Sequence, residues 1–316
     1  MVSRVARALG FATLGALVWG TLIERQLFTV RSHSLPVLTP GSAPIRILHI
    51  SDLHLAPWQT RKMRWVRSLR QLAPDLIVST GDSMGHLEAL PMLRHTMEPF
   101  AGVPGVFVFG SNDYYGPMLK NPFKYLLEPS RKSTRERDMD TAALRTYLTG
   151  ELGWIDLNNS AATLTVRGSQ LEFLGLNDPH IHFDDEAALV KARTSLKTAE
   201  KRKAKQASAN TNTSTQTTLG VVHAPYQSAL NTLLEQGSEV IFSGHTHGGQ
   251  VCIPGFGALT TNSDLPRHQA KGLSVWFNRQ RAAFLNVSAG LGHSIYAPVR
   301  FACRPEVSMI TLTAAQ

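Results

Sequence analysis

Ile45-Arg46-Ile47-Leu48-His49-Ile50-Ser51-Asp52-Leu53-His54 runs from an apolar strand straight into two side chains able to bind metal. A short run rich in Ile and Leu, closed by polar residues, reads as a buried strand. Beyond its end, Asp52 and His54 stand at i and i+2, which in extended backbone puts both on one side. The same pattern recurs outward along the chain. Leu76–Ser79 precedes Asp82, Val106–Phe109 precedes Gly110-Ser111-Asn112-Asp113, Leu219–Val222 precedes His223, and Val240–Phe242 precedes Gly244-His245-Thr246-His247-Gly248-Gly249-Gln250. An amphipathic helix over Thr60–Leu72, and a second helix before the third strand, separate the early strands, and this alternation predicts an α/β core. Further strands over Trp154–Leu157, Thr163–Val166, Leu171–Leu176, Ala283–Val287 and Ser308–Leu312 predict a second sheet. In open α/β sheets the strand ends form the ligand crevice, so these five polar segments are expected to converge.

Asp52, His54, Asp82, Asn112, His223, His245 and His247 comprise two carboxylates, one carboxamide and four imidazoles. Mixed oxygen and nitrogen donors suit Mn, Fe or Zn better than Ca or Mg. One ion cannot use all seven, whereas two ions about 3.5 to 4 Å apart, sharing one carboxylate, can. Asp-x-His and Gly-Asp each arise by chance, and a single His after a strand is more often structural. The His-x-His turn flanked by glycines is more specific, because glycine allows close backbone approach to metal and phosphate. Strand-end placement and order along the chain together favour the metal reading.

The ordered series Asp52-x-His54, Gly81-Asp82, Asn112, His223 and Gly244-His245-x-His247 resembles the signature of calcineurin-like metallophosphoesterases, over about Ile45 to Val307. The resemblance implies a four-layer αββα sandwich of two mixed sheets flanked by helices. It implies two divalent or trivalent metal ions, with Mn expected first and Fe or Zn as alternatives. One would be held by Asp52, His54, Asp82 and His247, the other by Asp82, Asn112, His223 and His245, with Asp82 bridging. It further implies hydrolysis of a phosphomonoester, phosphodiester or pyrophosphate by a hydroxide between the metals, with Asn112 and His223 placing the phosphoryl group. The third motif departs from the family's Gly-Asn-His-Asp/Glu. Matching the glycines puts Ser111 at the ligand position; matching strand length keeps Asn112 there and puts Asp113 where the acid His would stand. The second register is preferred, and it makes Asp113 the candidate acid.

Residues 1–28 read as a membrane anchor, since Ala8–Ile23 carries no charge and follows Arg4 and Arg7. A single short span about 8–23 in the cell membrane is expected, with the side of the catalytic domain open. Together with the His-Thr-His-Gly-Gly-Gln turn, this resembles a bacterial membrane-associated branch grouped with UDP-diacylglucosamine pyrophosphohydrolases, implying a lipid-linked or nucleotide-linked substrate. Residues 29–44, rich in Ser, Thr, Pro and Gly, read as a linker, and 45–316 as the catalytic domain. About 191–217, basic and then almost wholly polar, reads as a mobile insertion. Tyr114–Leu127, aromatic and basic, reads as a flap or a packed surface helix; Asn177-Asp178-Pro179-His180 as a polar turn, with a lining of the pocket as the alternative; and Ser288–Gly292 as a strand exit that could approach the site, without a catalytic role. A formal net charge of +9 fits phosphate, anionic lipid or nucleic acid alike. Nucleic acid is the lesser partner, a nuclease or cyclic nucleotide phosphodiesterase the alternative activity, and a non-catalytic interaction module the alternative class. Cys252 and Cys303 read as two buried thiols.

Overall fold

The computed structural model describes residues 2–117, 137–206, 216–293 and 296–315. Its strands are β1 (Thr29–Leu38), β2 (Ile45–Ile50), β3 (Leu76–Ser79), β4 (Gly105–Phe107), β5 (Ile155–Asp156), β6 (Ser160–Val166), β7 (Ser169–Leu176), β8 (Thr217–Val222), β9 (Val240–Ser243), β10 (Cys252–Ile253), β11 (Gly257–Ala258), β12 (Gly272–Phe277), β13 (Ala282–Val287) and β14 (Glu306–Ala314). The helices are α1 (Val2–Val18), α2 (Thr60–Ser68), α3 (Leu90–Met97), α4 (Thr141–Thr146), α5 (Glu186–Gln206) and α6 (Gln227–Glu235).

Two six-stranded mixed sheets carry the fold, in the orders β1-β14-β2-β3-β4-β5 and β12-β13-β9-β8-β7-β6. Strand alternation sorts the apolar side chains into layers. Ile47, Leu76, Val78 and Val106 of the first sheet meet Phe173, Leu219, Val221 and Phe242 of the second in one buried cluster. The opposite faces turn outward. Leu48, Ile50, Ile77 and Phe107 pack with Met63, Val66, Leu93 and Met97 from α2 and α3, while Leu174, Val222, Ile241 and Leu285 pack with Leu230, Leu233 and Leu234 of α6. The fold is therefore mixed α/β, with two large sheets face to face and helices on their outer sides.

Three expectations need correction. The N-terminal span is the first: among the described residues no helix is long and apolar enough to cross a membrane. Helix α1 has 17 residues, about 25 Å against a bilayer core of about 30 Å, and it widens into a π turn at Trp19–Ile23. The end of the apolar run is docked on the domain. The Arg300 N–H donates to the Gly20 carbonyl (3.0 Å). The buried Glu24 carboxylate accepts from the Trp19 indole (2.6 Å), Ala302 N–H (3.0 Å) and Cys303 N–H (2.7 Å).

The linker is the second. Residues 29–38 form β1, paired in parallel with β14 from Thr29↔Glu306 onward, and Leu35 and Leu38 are buried in the inter-sheet core. Because β1 is an edge strand, Pro36 and the Ser residues cost few ladder bonds, which is why a composition resembling a tether can be a strand. The third is the insertion. Residues 191–206 continue α5, which is held down by Arg193: Nε and Nη2 donate to the buried Glu172 carboxylate at 2.8 and 2.7 Å. Residues 207–215 lie outside those described, as do residues 118–127 of the expected flap.

Candidate metal centre

Strand register brings the candidate ligands to one edge. In the first sheet Ile50 lies opposite Ser79 and Ser79 opposite Phe107; in the second, Val221 lies opposite Phe242 and Ser243 opposite Val287. The loops leaving these parallel strands start side by side and are tied together by their backbones. Asp52 N–H donates to the Gly81 carbonyl (3.0 Å), His54 N–H to Asp82 (2.9 Å), Gly244 N–H to His223 (2.8 Å) and Leu291 N–H to Ser51 (3.2 Å). Asp52, His54, Asp82, His245 and His247 all hold positive φ, between 41° and 68°. Side chains rarely adopt this region, at about 1 kcal/mol or more each, and such residues gather at functional sites. Glycines make the room: a Cβ on Gly290 would meet Asp52 Cβ at 2.5 Å, and one on Gly292 would meet His54 Cβ at 2.6 Å.

The donor atoms face one another at spacings suited to a shared cation. His54 Nε2 lies 3.3 Å from Asp82 Oδ2 and 3.9 Å from Asp52 Oδ1, His247 Nε2 3.7 Å from Asp52 Oδ1, and His223 Nε2 3.5 Å from Asp82 Oδ2. His245 Nδ1 is 3.2 Å from His223 Nε2. Two overlapping sets, Asp52/His54/His247 and Asp52/Asp82/His223, each offer ligand atoms within 4.8 Å of one another. His54 Nε2 is buried without a hydrogen-bond partner, an orphan that a metal would satisfy. Behind the donors, His223 Nδ1 meets the Thr80 carbonyl (2.6 Å), which leaves Nε2 for the centre. The Asn112 carboxamide lies on the same side, its Nδ2 donating to Asp82 Oδ2 and its N–H to Asp82 Oδ1, both at 2.7 Å.

The electrostatics are those of a dry crevice rich in acids. Burial lowers His54 to about 4 and, with neighbouring positive groups, holds His245 and His247 well below the imidazole range, which favours the neutral form that binds metal. Burial disfavours a charge on His223, yet Asp82, Asp178 and Asp52 outweigh it and hold that imidazole well above its usual range. Burial pushes Asp52 up to about 6. Against burial, His223 and His54 hold Asp82 well below the carboxylate range. A bound cation would take over the charge balance that His223 supplies here.

All seven candidate ligands are thus brought together, but Asp113 is not. The 3₁₀ turn Ser111–Asp113 folds this carboxylate inward, where it accepts from the backbone N–H groups of Ser83 (2.9 Å), Met84 (3.2 Å) and Gly110 (3.1 Å) at 0% exposure. Burial and Asp82 push it up to about 7, but it is enclosed and ties the second and third loops together rather than facing substrate. Ser288–Gly292 approaches the site, reaching Asp52 and His54. Arg300 carried no signal in the sequence. Fully buried, its Nη2 donates to the carbonyls of Ala289 (2.7 Å), Gly290 (3.1 Å) and Gly292 (2.5 Å), and its Nη1 to His247 (3.3 Å), fastening the two loops. The cysteines are free and buried, as expected.

A family model, Calcineurin-like phosphoesterase, matches residues 45–249, a span that contains all seven donors. The metallophosphoesterase YkuE of Bacillus subtilis is 25% identical over 302 residues, covering 92% of this chain and 86% of its own. The UDP-2,3-diacylglucosamine pyrophosphatase LpxG of Chlamydia trachomatis is 25% identical over 331 residues, covering 93% and 92%. Among solved structures, TT1561 of Thermus thermophilus aligns over 79% of this chain and 91% of its own, with 13% identity and a TM-score of 0.40. With the family match spanning most of the domain and the donors gathered at the strand ends, the chain belongs to the calcineurin-like phosphoesterase family and is a phosphoester hydrolase.

Proposed function

We propose that this chain cleaves a phosphate ester or pyrophosphate bond in a lipid-linked or nucleotide-linked substrate, using two metal ions, with Mn first and Fe or Zn as alternatives. The observation that carries the reading is the orphaned His54 Nε2 set among Asp52, Asp82 and His247 at near-ligand spacing. Asp52, His54, Asp82 and His247 would hold one ion; Asp82, Asn112, His223 and His245 the other. When bound, such ions lower the pKa of water and offset charge developing on phosphoryl oxygens. The protein's part is to fix geometry. The Thr80 carbonyl holds the tautomer of His223, the Asp52 carboxylate accepts the His245 N–H (3.0 Å), and the buried loops keep bulk water away. Asn112 and His223 would help to place the phosphoryl group.

The name of LpxG supports a lipid-linked pyrophosphate as substrate class. On the N-terminal helix, Phe11, Leu14, Leu17 and Leu22 are each more than half exposed, which supports contact with a membrane surface by an apolar face rather than by a span. The test is elemental analysis of the full chain, with hydrolysis of an aryl phosphomonoester, a bis-aryl phosphodiester, a UDP-linked diacyl lipid and single-stranded DNA on the same sample. Bound metal with preference for the lipid pyrophosphate supports the reading. Preference for DNA would move it to the nuclease alternative, and no metal with no hydrolysis would sink it.

A further inference from the structure

His180 lies on the 3₁₀ turn Pro179–Ile181 that leaves β7. Its place is closely determined. The Asp178 carboxylate accepts the His180 N–H (2.9 Å), and the turn ends at His182 with φ 58°. The ring lies against that of His245, centroids 4.4 Å apart and tilted by 46°, and its Nδ1 meets the Tyr226 hydroxyl at 3.0 Å. Tyr226 belongs to the loop that carries His223. Ring contact with one candidate ligand and a hydrogen bond to the loop of another put this imidazole at the centre's edge. His223 and His245 are buried, whereas His180 and Tyr226 are partly exposed, so the pair stands towards the mouth of the crevice.

Cleavage exchanges the P–O bond to the leaving group for a P–O bond to the oxygen of water. The departing oxygen keeps the electron pair and takes one of the two water protons, while the other stays on the phosphate. Charge builds on that oxygen as the bond breaks, so a fixed donor there lowers the barrier. Asp113, turned into the backbone of residues 83–84, cannot supply one. The Tyr226 hydroxyl and His180 Nδ1 share a hydrogen bond (3.0 Å); in the tautomer that carries its proton on Nε2, the imidazole donates from that nitrogen. We propose that His180, oriented by Tyr226, donates a hydrogen bond to the leaving-group oxygen of the phosphoester at the mouth of the metal centre. This rests on the hydrolase reading and adds the residue that handles the leaving group.

The test uses the full chain loaded with Mn. Wild type, His180→Ala, His180→Asn and Tyr226→Phe are compared on two phosphodiesters, one releasing p-nitrophenol and one releasing the more basic phenol, with metal content and melting measured on each. A contact at the leaving oxygen matters most when that oxygen is basic. In His180→Ala, kcat on the phenyl ester is expected to fall about 10²-fold, with much less loss on the p-nitrophenyl ester and unchanged metal content. His180→Asn should recover part of the loss, and Tyr226→Phe should show a smaller loss with the same dependence on leaving group. Equal losses on both esters, losses that track metal content, or no loss would overturn the assignment while leaving the hydrolase standing. An inactive, metal-free wild type would instead overturn the hydrolase reading, and the role of His180 with it.

Discussion

Gly110→Ala separates the geometry of the centre from the stability of the fold. The backbone of Gly110 is extended (φ −109°, ψ 175°), so alanine meets no conformational penalty there. What it meets is the centre itself. Its Cβ would collide with Asp82 Oδ1 and would lie 2.6 Å from His223 Cε1 and 2.7 Å from Nδ1, where real Cβ contacts essentially never fall below 3.0 Å. Either the loop or both ligands must shift by several tenths of an ångström. Overpacking of this kind costs about 1–3 kcal/mol. Because the displaced atoms are the candidate ligands themselves, activity should fall by about 10²-fold, with weaker metal binding. Gly102→Ala is the control. Its φ of +81° strains alanine, yet nothing lies within 4 Å of the added Cβ, so it should lose about 1 kcal/mol of stability and keep full activity. Urea denaturation, calorimetric metal titration and kcat/KM on an aryl phosphodiester give the three readouts. A Gly110→Ala protein with wild-type metal affinity and kcat/KM would show that Asp82 and His223 are not ligands held by this contact.

Stripping metal with a chelator should abolish hydrolysis and lower the melting temperature, and Mn should restore both; metal at 100 times its dissociation constant contributes about 2.7 kcal/mol per site, so an unchanged melt would argue against bound ions. Asp113→Asn places an amide where three backbone N–H groups point, so it should destabilise by about 1–3 kcal/mol while both limbs of the pH–rate profile survive; loss of a limb would return Asp113 to the role of acid. Burial pushes the Glu172 carboxyl up, but Arg193 and Thr218 outweigh it and hold the group below its usual value. That contribution is complete above the unfolded value of about 4.3 and lost as pH falls through the lower folded value. Denaturation midpoints of wild type and Glu172→Gln should therefore converge on acidification, and a gap constant down to strongly acid pH would contradict the assignment. Finally, a chain begun at Ile45 lacks β1 and bares the β14 edge, so it should aggregate where one begun at Phe28 does not, as light scattering would report.

What could be read from the sequence follows from how local each signal is. Each candidate ligand was singled out because it stands directly behind an apolar strand, and the strand and its polar exit lie within about ten residues of chain. Where composition and environment agree, boundaries come out well: Ile45–Ile50 and Leu76–Ser79, buried on both faces, form β2 and β3 over the expected residues. Where they part, the reading slips. β1 was taken for a tether because an edge strand needs apolar side chains on one face only, and its exposed positions can carry Ser, His and Pro. β12 went unread for the same reason, being the edge of the other sheet.

Asp113 and His180 show the limit of local patterns, since both were visible in the sequence and neither one's surroundings could be read there. Chain order placed Asp113 beside the candidate ligand Asn112 and therefore at the chemistry; a single 3₁₀ turn rotates it into the amides of a neighbouring loop instead. His180 looked like an ordinary polar turn because its partners, His245 and Tyr226, lie 65 and 46 residues away, a distance no local pattern spans. Arg300, reaching 53 residues back to His247, escaped for the same reason. The candidate metal ligands are legible because each leaves a strand end. The groups that orient those ligands or meet the substrate answer only to three-dimensional proximity, and any chain segment can supply them. A departure from a familiar motif, such as the Ser-Asn-Asp of the third loop, is thus better treated as a reason to search the neighbouring strand ends than as a substitution in place.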